Sequence, residues 1–168
     1  GLAAGKGVII VYSKEEAVEN IKKIMSEKIF GSSGENIIIE EFLEGEEISF
    51  FALVDTNGFI LPLTTAQDHK KIGEGDVGPN TGGMGTYSDT NHSLPFLKDS
   101  DIQEAHTINI STARALKNKF GEGYKGVLYG GFMATGSGVK LIEYNARFGS
   151  PEAMHLLSLF QSAFIYIC

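Results

Sequence analysis

Three polar side chains at alternate positions, Glu143, Asn145 and Arg147, have the chemical types that bind a metal–phosphate complex. The surrounding residues are typical of a β-strand, in which side chains two apart point to the same face. A carboxylate and an amide oxygen suit Mg²⁺, which takes oxygen ligands from protein, water and phosphate. An arginine fork would complement the remaining phosphate oxygens. The alternative is a surface strand with a solvated Glu–Arg pair, and this stretch alone does not favour either interpretation.

A glycine-rich loop with one lysine, Gly1-Leu2-Ala3-Ala4-Gly5-Lys6-Gly7, opens the sequence. Small residues let backbone N–H groups approach phosphate oxygens, and the lysine adds a positive charge. The loop differs from a P-loop because the glycine spacing is one residue short and Gly7 replaces the metal-binding Ser or Thr. A β-branched segment follows instead of a helix. We predict a phosphate-covering loop between two strands, with an ordinary flexible hairpin loop as the alternative.

A long glycine-rich segment, Thr64 to Ser88, contains Gln67-Asp68-His69-Lys70 and Pro79-Asn80-Thr81-Gly82-Gly83-Met84-Gly85. Loops of this length without secondary structure are uncommon unless they are functional or disordered. Charged, amide and hydroxyl groups are interleaved with the glycines, so the segment is not of low complexity. The composition favours a ligand-enclosing loop over disorder.

Apolar periodicity predicts the elements that would position these residues. Two helices are expected, Lys14–Glu27 and Ser100–Phe120, with capping boxes beginning at Ser13 and Ser100. The apolar stripe of the first helix is expected to be buried core. The expected strands are Val8–Val11, Asn36–Leu43, Ile48–Val54, Phe59–Leu63, Gly126–Met133 and Val139–Ala146. The last two should form a hairpin, as should the pair joined by the Asn-Gly turn.

The composition of the 168 residues indicates a globular protein, with 42% hydrophobic residues and 21 glycines. A net charge of −7 without a basic stripe argues against a nucleic-acid partner. No apolar run reaches membrane-spanning length, and the single cysteine, Cys168, fits a reducing compartment. We therefore expect a cytoplasmic protein with no membrane partner. Because the sequence starts within a candidate functional loop and stops within an apolar segment, we also expect a fragment of a longer protein.

Taken together, these motifs resemble the phosphoribosylamine–glycine ligase family of ATP-grasp enzymes. Gln67–Lys70 followed by the Gly78–Gly85 stretch is particular to that family, whereas the Glu-x-Asn pair is shared by many ATP-grasp enzymes. The matching stretches are Gly1–Val8, Ile39–Ser49, Gln67–Lys70, Gly78–Tyr87, Gly126–Met133 and Ile142–Glu152. The resemblance implies an α+β ATP-grasp fold. It would comprise a small lid lobe of residues 1–43 and a larger, mainly antiparallel lobe of residues 44–168 with flanking helices.

The resemblance also implies a reaction in which glycine and 5-phosphoribosylamine are joined with ATP and Mg²⁺ or Mn²⁺. Glu143 and Asn145 would hold the metal, and Arg147 and Lys6 would act on the transferring phosphoryl group. The nucleotide would be bound by Gly1, Ala4, Gly5, Lys6, Gly7, Glu40, Glu41, Phe42, Leu43 and Glu47. Glycine or phosphoribosylamine would be bound by Asp68, His69, Lys70, Asn80, Thr81, Gly82, Gly83 and Met84. The Gly1–Gly7 loop is expected to close over the bound nucleotide.

Two departures from the family pattern affect these expectations. Ser150 stands where the family usually has Asp, so the role of that carboxylate does not carry over. The neighbouring domains of the family are absent from this sequence, so the fragment alone is expected to have little or no activity. Its parent protein is expected to be a monomer or fused to other purine-pathway domains. The alternatives are another ATP-grasp carboxylate–amine ligase and an inactive nucleotide-binding module.

Overall fold

One antiparallel β-sheet, rich in apolar and β-branched residues, organises the larger part of the chain. The computed structural model describes residues 7–75 and 77–163. In chain order the elements are α1 (Lys14–Met25), β1 (Gly45–Val54), β2 (Ile60–Asp68), β3 (Lys71–Gly73), β4 (Val77–Asn80), β5 (Thr86–Tyr87), α2 (Asp99–Phe120), β6 (Gly126–Thr135), β7 (Gly138–Asn145) and α3 (Glu152–Ser158). The chain divides into two compact units, Gly1–Leu43 and Glu44–Cys168.

The first unit contains α1, and this helix begins as its sequence predicts. The Ser13 hydroxyl accepts the N–H of Glu16 at 3.1 Å, and the Glu16 carboxylate accepts the N–H of Tyr12 at 3.0 Å. The expected burial of its apolar stripe is wrong, because no residue of α1 is fully buried. Val18 and Met25 of the stripe remain 42% and 43% exposed.

The strands expected at Val8–Val11 and Asn36–Leu43 are also not formed in this unit. Most of their apolar side chains are exposed, with Val8 at 79% and Ile38 at 85% of full exposure. A strand is stable only where its backbone groups pair with a neighbouring strand. Among the described residues of this unit there is no such neighbour, so strand propensity alone does not produce a strand.

The second unit contains a five-stranded sheet in the order β5-β2-β1-β6-β7, with every neighbouring pair antiparallel. The predicted hairpins β1–β2 and β6–β7 are confirmed. In the first turn, Asp55 Oδ1 accepts the N–H groups of Asn57 and Phe59, both at 2.8 Å. These bonds fix the turn that the Asn-Gly signal predicts.

The helix α2 covers one face of this sheet and forms the core with it. Buried side chains from the sheet, from α2 and from the segment before α2 pack together there: Ile48, Phe50, Leu94, Ala105, Phe132 and Val139. The helix starts earlier than expected, because the carboxylate of Asp101 accepts the N–H of Lys98 at 3.0 Å. Ser100 is therefore inside the helix and does not cap it. The helix ends as predicted at Gly121, where φ is +79°.

The prediction that Thr64 to Ser88 lacks secondary structure is wrong. The segment contains the end of β2, a small two-stranded hairpin of β3 and β4, and the short strand β5. The glycines allow this, since Gly75 and Gly78 have φ of +73° and +88° around the hairpin. The longest irregular stretch among the described residues of this segment is therefore short, at residues 81–85. No helix of the described residues combines the length and the apolar composition needed to cross a membrane.

Candidate functional site

The strand register brings four residues singled out from the sequence, Glu47, Asp68, Glu143 and Asn145, to one face of the sheet. Directly paired residues of antiparallel strands share a face. Ser49 pairs with both Ala66 on β2 and Gly131 on β6. Gly131 pairs in turn with Glu143 on β7. Glu47, Asp68 and Asn145 are each two residues from one of these partners, so they point the same way. This face is opposite to the one covered by α2, and it is called the open face below, although α3 packs on part of it at Phe51 and Tyr129.

A β-bulge in β7 is responsible for the position of Glu143 and Asn145. Phe132 pairs with Leu141 and Gly131 with Glu143, so Ile142 is the extra residue. Val139, before the bulge, is buried against α2. Simple alternation would have placed Glu143 on that same covered face. The bulge reverses the alternation and turns both polar side chains to the open face.

The Glu143–Asn145 pair provides two oxygen donors that suit a magnesium ion. The Asn145 amide donates to Glu143 Oε1 at 3.1 Å, which leaves the amide oxygen to face a ligand. Gly131, which pairs with Glu143, lies beside this side chain, and a Cβ at that position would be in ordinary contact with Glu143 Cγ at 3.6 Å. Among the described residues, no group of three or more His, Cys, Asp or Glu side chains is arranged so that it could hold a metal ion. This donor set fits Mg²⁺, which often takes one or two protein ligands and completes its shell with phosphate and water.

Tyr144, which lies between Glu143 and Asn145, connects β7 to α2 by a hydrogen bond. Its hydroxyl donates to Asn109 Oδ1 at 2.6 Å, and Asn109 on α2 is fully buried. Burial raises the pKa of the Tyr144 hydroxyl, so it remains a neutral donor. The hydrogen bond from Tyr144 to α2 therefore fixes the strand segment that carries Glu143 and Asn145 on its other face.

Arg147 lies beyond the end of β7, in a bend at residues 146 and 147. The alternation expected to align it with Glu143 and Asn145 therefore does not extend to it, and this part of the prediction is wrong. Its side chain is exposed, and Nη1 donates to the carbonyl oxygen of Phe148 at 3.0 Å. The bend turns the chain towards α3.

A buried polar network, which sequence reasoning missed, anchors the start of α3 to the sheet. Glu152 is 2% exposed, and its Oε1 accepts the hydroxyl of Tyr129 at 2.9 Å and that of Ser49 at 3.2 Å. Burial raises the pKa of the Tyr129 hydroxyl. Glu152 stands in the Arg-Phe-Gly-Ser-Pro-Glu stretch, but nothing in its spacing indicates that the carboxylate is buried. The network fixes the turn between β7 and α3.

A hydrogen bond from His155 connects α3 to Ser88, at the end of the Thr64–Ser88 segment. His155 Nε2 and Ser88 Oγ are 2.8 Å apart, and the Ser88 hydroxyl donates to the Thr65 carbonyl at 2.5 Å. Because a hydroxyl has one proton, His155 must be the donor to Ser88. This histidine, which showed no partner pattern in the sequence, therefore links α3 to β2.

Hydrogen bonds bring the two motifs of the Thr64–Ser88 segment together. The N–H of His69 donates to Gly85 O at 2.9 Å, and the N–H of Met84 donates to His69 O at 2.7 Å. Thr81 donates to Lys70 O through both its N–H and its hydroxyl, at 2.6 and 2.9 Å. The Asp68–Lys70 and Thr81–Gly85 stretches therefore form one loop structure. Asn80 and Gly82 are exposed on it.

Gly83 packs this loop directly on the turn before α3. Its φ is +121°, and an added Cβ would collide with Pro151 Cδ and lie 3.0 Å from Asp68 Oδ1 and 3.2 Å from Ser150 O. Asp68 is thereby confined between the loop and the turn. Burial, followed by the charge of Glu152, raises the pKa of the Asp68 carboxyl to about 6.

Replacing Gly83 with Ala is expected to displace the loop, because the new methyl group meets backbone and a proline ring at a strained φ. The cost should be about 1–3 kcal/mol of local strain. Hydrogen exchange of the Met84 and Gly85 amides in the full-length protein should accelerate. Gly82→Ala is the matched control, since nothing lies within 4 Å of its Cβ position. Equal exchange in the two variants would contradict the close packing described above.

The residues expected around the nucleotide base are distributed over both units. Glu47 forms an ion pair with Lys70 on the sheet unit. Glu40, Glu41, Phe42 and Leu43 belong to the first unit, where the Phe42 ring contacts Tyr12 edge-on at 5.7 Å. Lys6 and the loop residues Gly1, Ala4 and Gly5 lie outside the described residues, while Gly7 is exposed. The closure of that loop stays a prediction.

Comparison with known proteins gives matches along the entire chain. The model of the family described as phosphoribosylglycinamide synthetase, ATP-grasp (A) domain, matches residues 1–153. A phosphoribosylamine–glycine ligase from Methanocella arvoryzae is 44% identical over 172 residues, covering 100% of this chain and 38% of the relative. The human trifunctional purine biosynthetic protein adenosine-3 is 46% identical over 166 residues, covering 96% of this chain and 16% of the relative.

Solved structures give a consistent result. The crystal structure of a phosphoribosylamine–glycine ligase from Thermotoga maritima matches with a TM-score of 0.80 and 33% identity, covering 98% of this chain and 40% of that one. A biotin carboxylase from Campylobacter jejuni matches with a TM-score of 0.62 and 14% identity, which is a likeness of fold alone. The chain spans 38% of the length of the first curated relative.

Proposed function

The chain belongs to the phosphoribosylglycinamide synthetase ATP-grasp (A) domain family, and from this we propose that the full-length protein ligates glycine to 5-phosphoribosylamine. The products would be glycinamide ribonucleotide, ADP and phosphate. One observation carries the proposal beyond family membership. The metal-type pair Glu143–Asn145 and the family-specific Asp68 lie on the same open face of a single sheet. ATP held through a metal at Glu143 and Asn145, and a substrate held at Asp68, would therefore lie over the same face of the sheet.

In the proposed reaction the glycine carboxylate attacks the γ-phosphate of ATP, forming glycyl phosphate and ADP. The amine of phosphoribosylamine then attacks the acyl carbon, and phosphate leaves with the bonding electron pair. Enzymes catalyse phosphoryl transfer mainly by positioning reactants and neutralising charge. Glu143 and Asn145 would hold Mg²⁺ or Mn²⁺, which supplies positive charge to the phosphate oxygens when bound. Arg147 and Lys6 would add positive charge to the transferring group.

The remaining site residues have binding roles in this proposal. Glu40 and Glu41, with the backbone of Phe42 and Leu43, would contact the adenine, and Glu47 the ribose hydroxyls. The Gly1–Gly7 loop would cover the phosphates. The loop structure formed by Asp68–Lys70 and Asn80–Met84 would hold glycine or phosphoribosylamine. Its support is the set of hydrogen bonds that joins the two stretches.

Two assays of the full-length protein test the proposed function, one of the first half-reaction and one of the complete reaction. With ATP, Mg²⁺ and glycine, hydroxylamine should trap glycyl phosphate as glycyl hydroxamate. With phosphoribosylamine in place of hydroxylamine, ADP release and glycinamide ribonucleotide formation should be stoichiometric. Hydroxamate formation from another carboxylate but not from glycine would favour a different ATP-grasp ligase. Nucleotide binding without either product would favour an inactive module.

The proposal also covers the cellular location of the enzyme and its assembly. We assign the reaction to the cytoplasm, in an enzyme that is either monomeric or fused to other purine-pathway domains. The human relative, named as trifunctional, is an example of the fused arrangement. Sedimentation of the full-length protein would distinguish a monomer from a larger assembly.

A further inference from the structure

Lys140 on β7 is a positively charged residue of the open face that has no role in the proposed reaction. It pairs with Met133 on β6, and Met133 pairs in turn with Glu47 on β1. Met133 lies two residues from Gly131, which is the partner of Glu143. Because paired residues and alternate residues share a face, Lys140 points to the same side of the sheet as Glu143.

The bulge in β7 is what brings these two side chains to one face. Three positions apart on a regular strand, Lys140 and Glu143 would point to opposite faces. The extra residue, Ile142, reverses the alternation between them. Their backbones are at most about 10 Å apart, since a strand rises by about 3.3 Å per residue. The flexible four-carbon stem of Lys140 can therefore bring its ammonium group towards a ligand held at Glu143.

The ammonium group of Lys140 is available to such a ligand. The side chain is exposed, and it forms no hydrogen bond or ion pair with residues 7–75 and 77–163. Lys70, beyond the end of β2, is instead held in an ion pair with Glu47. The other charged residues that the strands place on the open face are the acids Glu47, Asp68 and Glu143. On these strands, a phosphate would therefore meet a favourable side-chain charge only at Lys140.

We propose that Lys140 binds the α-phosphate of ATP. This inference rests on the proposed function, in which Glu47 meets the ribose and Glu143 holds the metal on the phosphates. The α-phosphate joins the ribose to the β- and γ-phosphates, so it would lie between these two residues. The path from Glu47 to Glu143 crosses β6, which is one strand spacing, about 4.8 Å, from the backbone of Lys140. The residues of β6 along this path, Met133 and Gly131, offer no charged side chain.

The location of Lys140 favours the nucleotide over the 5-phosphate of phosphoribosylamine. The loop structure assigned to that substrate begins at Asp68 on β2, which is three strand spacings, or roughly 14 Å, from β7. Lys140 is therefore on the metal side of the face. Arg147 follows Asn145 in the chain, so a positive residue stands on each side of the metal pair. Because Arg147 is assigned to the transferring phosphoryl group, Lys140 is left for the phosphate nearest the ribose.

The test measures nucleotide binding to the full-length protein by equilibrium dialysis, with ATP, ADP, AMP and adenosine as the probes. For Lys140→Met we expect dissociation constants about tenfold higher for ATP, ADP and AMP, because all three contain the α-phosphate. Adenosine lacks this phosphate, so its affinity should be unchanged. Lys125→Met is the matched control, since it removes an exposed lysine before β6, and it should leave all the affinities unchanged.

A second variant, Lys140→Arg, tests whether the charge itself is responsible. Arginine keeps the positive charge and also binds phosphate, so it should recover most of the affinity for ATP, ADP and AMP. The thermal midpoint of both variants should stay close to that of wild type, because Lys140 is exposed. A role in the fold would lower the thermal midpoint and would not distinguish AMP from adenosine.

Several results would overturn the proposal. Unchanged affinities in Lys140→Met would show a solvated lysine that only protects the edge of the sheet. An equal loss for adenosine would assign Lys140 to the base or the fold, and a loss for ATP and ADP but not AMP would assign it to the β-phosphate. Unchanged nucleotide binding with a raised KM for phosphoribosylamine would assign it to that substrate. The probes include neither glycine nor phosphoribosylamine, so a failure to form glycyl hydroxamate would refute the proposed function and leave this result standing.

Discussion

Replacing Glu143 with Gln in the full-length protein is expected to reduce turnover by about 10³-fold, which corresponds to roughly 4 kcal/mol. The substitution keeps the volume and the neighbouring Asn145 but removes the negative charge that a divalent cation requires. Because the side chain is exposed on the open face, no core cavity results. Asn145→Ala should act in the same direction, since it removes the second oxygen donor.

Two measurements separate this effect from misfolding. Titration of Mn²⁺ in the presence of a non-hydrolysable ATP analogue should show weaker binding to Glu143→Gln, while the thermal midpoint stays close to wild type. Glu122→Gln, an exposed glutamate in the turn after α2, is the control and should change neither property. Near-normal turnover of Glu143→Gln at saturating Mg²⁺ would show that this residue is not a metal ligand.

The largest effect on stability is expected for Phe132→Ala, at about 3–5 kcal/mol. Phe132 is fully buried, and its ring meets Phe50 edge-on at 6.2 Å and Tyr144 edge-on at 6.4 Å. Truncation removes these contacts and leaves a cavity between α2 and the sheet. Tyr144 lies between Glu143 and Asn145 on β7 and loses its contact with the Phe132 ring in this variant. The backbone that positions the candidate metal ligands should therefore become more mobile.

Phe59→Ala is the appropriate control for this prediction, because Phe59 is 65% exposed at the end of a turn. Its cost should be below about 0.5 kcal/mol, as for most surface substitutions. Hydrogen exchange of β1 and β6 amides in the full-length protein measures the local free energy of opening for both variants. A difference between them of less than about 1 kcal/mol would mean that Phe132 does not anchor the core.

The sequence by itself determined most of the regular elements and the family. The α+β ATP-grasp fold, the two hairpins of the sheet and the long helix predicted at Ser100–Phe120 are confirmed, although the helix begins at Asp99. The hairpins and the helix follow from local physics, namely apolar periodicity, turn residues and a helix-ending glycine, whereas the fold and the family came from the resemblance of the motifs. The assignment of individual binding and catalytic residues stays a prediction, because shared motifs identify a site only by resemblance.

The tertiary structure decided which face each polar residue occupies. Simple alternation from Val139 would have buried Glu143 against α2, and only pairing with β6 reveals the bulge at Ile142 that reverses it. Arg147 likewise leaves the strand because the chain must bend to reach α3. Register and bulges depend on a partner strand that is distant in sequence, and no local pattern specifies them.

The same reason explains the network around Glu152 and the enclosed position of Asp68. Ser49 and Tyr129 reach Glu152 from two different strands, and Gly83 reaches Asp68 from the far end of the loop. Val8–Val11 and Asn36–Leu43 have the composition of strands, but they find no strand partner among residues 7–43, which the structure describes. Residue type sets what a side chain can do, whereas burial, pairing and proton affinity depend on long-range contacts that only the folded chain supplies.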